Sequence, residues 1–214
     1  MQARLSRRRL IAFLLASAAA ALRGPYALAA ASVTPAGQRL AARLDSFEVE
    51  KYWLAGAHVK WDTGEPDGLP MSKTGKHTHC SAFVAAAAKR LGVYILRPPE
   101  HRQILLANAQ FDWLTSDSAR HGWRAVTGPA EAQELANGGM LVVVAWRNRD
   151  DDKPGHIAIV RPAEKTAEAI ASEGPQVAQA GLTNSSSISM RKGFAGHPAA
   201  WRKQEAVYFA HALD

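Results

Sequence analysis

The chain has 214 residues, enough for one domain with its own core, and 47% of them are hydrophobic, which excludes a disordered or fibrous protein. Lysine and arginine outnumber aspartate and glutamate 26 to 19, a formal charge of +7. Five of those arginines fall in residues 1–31, which hold no acid; the remainder carries +2 and offers no electrostatic footprint for a nucleic-acid partner.

Residues 1–31 read as an export signal. Arg4, Arg7, Arg8 and Arg9 precede an apolar run over 10–22, and Ala27-Leu28-Ala29 or Ala29-Ala30-Ala31 supplies a small-residue cleavage site. Ser6-Arg7-Arg8-Arg9-Leu10-Ile11 resembles the twin-arginine motif of bacterial export. The apolar run falls short of the roughly 20 residues of a membrane span and Arg23 interrupts it, so no stable span is expected after cleavage. The expectation is a periplasmic or secreted bacterial protein whose residues 32–214 form a single domain.

In that domain, residues 35–44 predict an amphipathic helix with Leu40 and Leu44 one turn apart and Phe47 continuing the face. Residues 56–78, with Gly64, Pro66, Gly68, Pro70 and Gly75, predict a long loop. At Cys80 the helical period begins: Phe83, Val84, Ala87 and Leu91 share a face until Gly92 ends it. Residues 101–119 predict a helix burying Ile104, Leu105, Phe111 and Leu114, and Pro129 opens a short helix closed by Asn137-Gly138-Gly139. Then the period changes. Residues 140–146 form an unbroken apolar, β-branched run, 156–160 another, and 177–180 and 206–210 shorter ones, so strands follow helices in an α+β chain without internal repeats.

Cys80 is the only cysteine, so it forms no internal disulfide in an oxidising compartment. At a helix start the unpaired N–H groups favour thiolate; lowering the thiol pKa from about 8.5 to about 6.5 raises the thiolate fraction at pH 7 from roughly 3% to roughly three quarters. The competing reading is a buried, inert cysteine on the apolar face of Phe83 and Val84. His156 opens its strand after Pro154-Gly155, and antiparallel pairing of 156–160 with 177–180 brings Gln179 near it. Cys80 is then a candidate nucleophile, His156 its base and Gln179 the group that orients the imidazole, with the Cys80 N–H as an oxyanion donor. Glu173, before Gly174-Pro175, is the alternative third residue. Trp61, His79 and Ser81 are candidates for substrate contact.

In order, His79-Cys80-Ser81-Ala82-Phe83-Val84, Gly139-Met140-Leu141-Val142-Val143-Val144, Pro154-Gly155-His156-Ile157-Ala158-Ile159-Val160 and Val177-Ala178-Gln179-Ala180-Gly181 resemble the successive blocks of NlpC-type and CHAP-type cell-wall cysteine peptidases and amidases. The resemblance spans roughly residues 50–210. It implies a papain-like fold with the catalytic cysteine at a helix N-terminus packed on a small antiparallel sheet. It also implies hydrolysis of an amide bond in peptidoglycan stem peptides, by an endopeptidase or amidase that uses no cofactor or metal. The chain departs from the family pattern at His79 and Met140, where many members carry Asp. Two alternatives stand beside this reading: a non-catalytic domain of the same fold that holds cell-wall peptide, and a metal site built from His77, His79 and Cys80, whose close spacing is poor for one tetrahedral centre.

Overall fold

The structure is a computed structural model that describes residues 32–70 and 77–214; the export-signal reading lies outside these residues. Among them the chain is α+β, with seven helices and one six-stranded antiparallel sheet. The helices are α1 (Pro35–Asp45), α2 (Cys80–Arg90), α3 (Leu106–Ser116), α4 (Pro129–Asn137), α5 (Ala167–Glu173), α6 (Met190–Gly193) and α7 (Pro198–Arg202). The strands are β1 (Trp123–Val126), β2 (Leu141–Trp146), β3 (His156–Val160), β4 (Gln176–Gln179), β5 (Ser185–Ser189) and β6 (Val207–His211), in the spatial order β1-β6-β2-β3-β4-β5. No helix of the described residues is long and apolar enough to cross a membrane.

The expected α2 forms as the periodicity predicts, and its stop is a Schellman arrangement. Gly92 takes φ +78°, its N–H donates to the Lys89 carbonyl at 3.1 Å, and the Val93 N–H donates to Ala88 at 2.9 Å. Every residue from Cys80 to Ala88 is buried. The run Ala85–Ala88 explains how: side chains this small let a helix lie close between a sheet and a loop without voids. On one side α2 meets Val143, Ile157, Ile159 and Ala178 of the sheet, together with Leu40 and Leu44 of α1. The other sheet face, with Val142, Val144, Ala158 and Val160, packs against Ala132 and Ala136 of α4, Met190 of α6 and Phe194. Because both faces are covered, β2 and β3 are buried at every position, which is why they read as unbroken apolar runs.

The sequence expectations miss in several places, among them the short helices α6 and α7, which were not foreseen. The helix over 101–119 is confined to α3, because Leu105 takes φ +58° and Ile104, expected inside, is 65% exposed. The inward face of α3 includes Asn108 and Gln110, whose amides serve backbone groups: Gln110 Nε2 donates to the carbonyls of Ser81 and Leu96, and Asn108 Nδ2 donates to Lys153. A hydropathy period does not register polar residues buried for that purpose. The polar edge strand β5, a row of serines, and the four-residue β1 were also unforeseen, as was α5, capped by Thr166 Oγ1 accepting from the Ala169 N–H. β1 precedes α4, so helices and strands are not segregated along the chain as expected.

Candidate active site

The two apolar runs that form β2 and β3 are joined by a polar loop, and α3 holds that loop. Asn108 donates to the Lys153 carbonyl at 3.0 Å and accepts from the Asn148 N–H at 3.1 Å. A side chain at Gly155 would stand 2.2 Å from the Trp146 carbonyl oxygen, so only glycine fits where the loop hands the chain to His156.

The expected antiparallel pairing of β3 with β4 is present, with Ile159 opposite Ala178 and Val160 opposite Val177. Continued two residues, that register makes Gln179 a diagonal neighbour of His156 on the same face. Their side chains meet: His156 Nε2 donates to Gln179 Oε1 at 3.0 Å. With its proton on Nε2, the ring presents its lone pair at Nδ1. Gln179 is held in turn by its own Nε2, which donates to the Thr183 carbonyl at 3.0 Å.

Cys80 is the first residue of α2, and the backbone N–H of Ile157, the residue after His156, faces its sulfur closely enough to favour thiolate. The hydroxyl and N–H of Ser81 also face the sulfur. Residues 76 positions apart in the chain are thus brought to consecutive residues of one strand, and no hydrogen bond joins the Cys80 sulfur to the His156 ring among the described residues. The cysteine arrives from the α2 side of the sheet. The His156 ring leaves β3 on the side of Trp146, its register partner, and meets the edge of Phe194 at 4.5 Å between ring centres.

Electrostatics correct one expectation. The helix start was expected to lower the Cys80 thiol pKa, but the thiol is 4% exposed and burial pushes its pKa up, against the opposing pull of the Ile157 and Ser81 N–H groups. A thiolate buried in this apolar core loses more hydration than the N–H groups of Ile157, Ser81 and Cys80 and the Ser81 hydroxyl restore. His156 is likewise 4% exposed, and burial lowers its pKa to about 4, against the opposing effect of its bond to Gln179. At neutral pH the resting pair is a thiol and a neutral imidazole. Alkylation of Cys80 by iodoacetamide is therefore expected to be slow at pH 7 and to keep accelerating beyond pH 8.5; a rate that levels off below pH 8 overturns the raised pKa.

The other candidates lie as follows. Glu173 ends α5, half-exposed, with its carboxylate 3.4 Å from Lys165 Nζ, so Gln179 rather than Glu173 is the partner of His156. Trp61 lies with its ring centre 5.0 Å from Lys89 Nζ, in the last turn of α2, nine residues or about 13 Å along the helix from Cys80. His79, next to the nucleophile candidate, donates from Nε2 to the Ala57 carbonyl at 2.8 Å, and burial lowers its pKa. With that nitrogen engaged, and no convergent group of three His, Cys, Asp or Glu among the described residues, the metal-site alternative has no geometric support. A cavity of about 710 Å³ between β6 and α7 is lined by Val126, Trp201 and Tyr208 and by none of Cys80, His156 or Gln179.

Gly193, which sequence reasoning passed over, guards the Gln179 amide. A Cβ there would stand 2.5 Å from Gln179 Oε1, the atom that accepts from His156. Gly193 closes α6 without a positive φ, so an alanine suits its backbone and the clash falls on the amide. Gly193→Ala is expected to fold, to lose the protected His156 Nε2–H resonance in proton NMR, and to lower any His156-dependent turnover about ten- to a hundredfold. An unchanged resonance sinks this prediction.

Compared with family models and with curated proteins, the chain matches none.

Proposed function

We propose that the protein is an exported, papain-like cysteine hydrolase that cleaves an amide bond in peptidoglycan stem peptides. The single observation that carries the reading is the seat of the Cys80 sulfur on the Ile157 N–H, one residue from a His156 whose Nε2 is committed to Gln179. The order of motifs shared with NlpC-type and CHAP-type enzymes supports it, as does the signal-like N-terminus. Because thiol and imidazole rest neutral, this chemistry requires a concerted attack in which the sulfur bonds to the substrate carbonyl carbon as its proton passes to His156 Nδ1, although no hydrogen bond joins the two side chains among the described residues. The resulting oxyanion lies at the Cys80 N–H. Collapse returns the proton to the departing amine and leaves a thioester, which water hydrolyses with His156 again as base.

The 4% exposure of both Cys80 and His156 favours a second reading, a non-catalytic domain of the same fold that binds cell-wall peptide. Digestion of purified wall fragments, with products identified by mass, separates the two. New amine and carboxylate termini that form equally well with a chelator present are the expected result. Binding of intact fragments with no new termini from pH 5 to 9 overturns the hydrolase.

A further inference from the structure

The His156 ring has a second imidazole against its face. His197, the residue before α7, lies with its ring centre 5.2 Å from that of His156 at an interplanar angle of 23°, and 5.0 Å from that of Trp146, the cross-strand neighbour of His156, at 36°. Trp146 is fixed in turn, its Nε1 donating to Glu205 Oε2 at 3.2 Å while Glu205 pairs with Arg149 at the surface. The edge of Phe194 closes the His156 ring from a third direction. His197 is half-buried while His156 is fully buried, so the outer imidazole covers the inner one.

We propose that His197 is a positioning residue for His156, its ring laid over the His156 ring and its neighbour Trp146 so that the His156 ring stays on Gln179 and water stays off it. The inference rests on the hydrolase reading only for its catalytic consequence. A face-to-face neighbour removes the freedom of the His156 ring to turn about its Cβ–Cγ bond, and turning is the motion that would take Nε2 off Gln179. It also occupies the side from which water would reach the ring. The Cys80 thiol lies on the α2 side of the sheet, and the titratable groups around the His156 ring are few: His197 across the stack, and Glu205 with Arg149 behind Trp146. From β4 it meets only the neutral amide of Gln179.

The sign of the test follows from desolvation. Burial is the main cause that holds the His156 pKa down at about 4, so admitting water restores hydration of the charged ring and moves the pKa up toward 6.5. The measurement is the imidazole titration of His156 by NMR on the full chain, assigned with His156→Gln, in wild type, His197→Ala and His197→Phe. His197, whose pKa burial and repulsion from His156 lower to about 4, titrates beside it, so His197→Phe, which keeps a flat face and removes only that repulsion, is expected to raise the His156 midpoint less than His197→Ala, which raises it by at least about one pH unit. An unchanged midpoint in His197→Ala overturns the proposal, and so does a shift in His197→Phe as large as that in His197→Ala. If the alanine variant does not fold, His197→Gln, which removes the flat face, takes its place with the same two outcomes. On wall fragments, an acid limb that moves with the midpoint joins this role to catalysis. Absence of cleavage in wild type with the titration shift intact sinks the hydrolase and leaves the positioning role standing, while cleavage without the shift does the reverse.

Discussion

Cys80→Ala is expected to leave a folded chain that has lost at least about a thousandfold of the wild-type rate on wall fragments. The substitution removes one buried sulfur from a helix start otherwise held by groups it does not touch. Gln110 still donates to the Ser81 carbonyl, and Phe83 still donates its N–H to the carbonyl of His79. The stability cost is about 1 kcal/mol, the burial of one methyl-sized group plus an Ile157 N–H left without its sulfur. Rate and stability are thus expected to separate, with thermal unfolding within a few degrees of wild type and turnover gone. Retention of turnover in the alanine variant ends the thiol mechanism, whatever the fold.

The largest effect on stability is expected from Phe83→Ala, about 3–5 kcal/mol. Phe83 is fully buried in the middle of α2 and meets Trp53 edge to face, with ring centres 5.3 Å apart at 69°. The Trp53 ring cannot follow into the space, because its indole Nε1 donates to the Trp61 carbonyl at 2.9 Å and Gly64 lies directly against it, where a Cβ would fall 2.4 Å from the ring. With α2 pinned between the sheet and this aromatic pair, the void stays open, and its cost adds to the lost transfer energy. The loss is a large share of the roughly 5–15 kcal/mol that holds an ordinary domain together. A urea midpoint that drops with an unchanged slope checks it; a loss under about 1 kcal/mol shows that the core has closed over the gap.

Much of the architecture was legible in the residues. The apolar runs of β2 and β3 and the antiparallel β3–β4 neighbourhood read directly, because strands covered on both faces are apolar throughout. The meeting of His156 with Gln179 follows from that neighbourhood by counting residues along a ladder. Beside the helix start cut short at Leu105, what escaped lies largely in polar residues placed for partners distant in sequence. Gln110 is buried to serve Ser81, 29 positions away; Ser185–Ser189 forms β5 because β4 offers an open edge; and His197 stacks on a ring 41 positions earlier. None of these leaves a local periodicity to detect.

The chain by itself determined where the helix of Cys80 begins and ends and that His156 opens a buried strand, since both depend on the local alternation of apolar and polar side chains and on glycine at the turn. Only the tertiary structure decided the state of those two residues. The proton affinity of a thiol or an imidazole is set by how much water the whole surroundings remove, and around Cys80 and His156 those surroundings come from α1, α3, β2, β4 and the segment after α6. Their combined desolvation outweighs the helix-start effect that local sequence predicts, and leaves both groups neutral at rest.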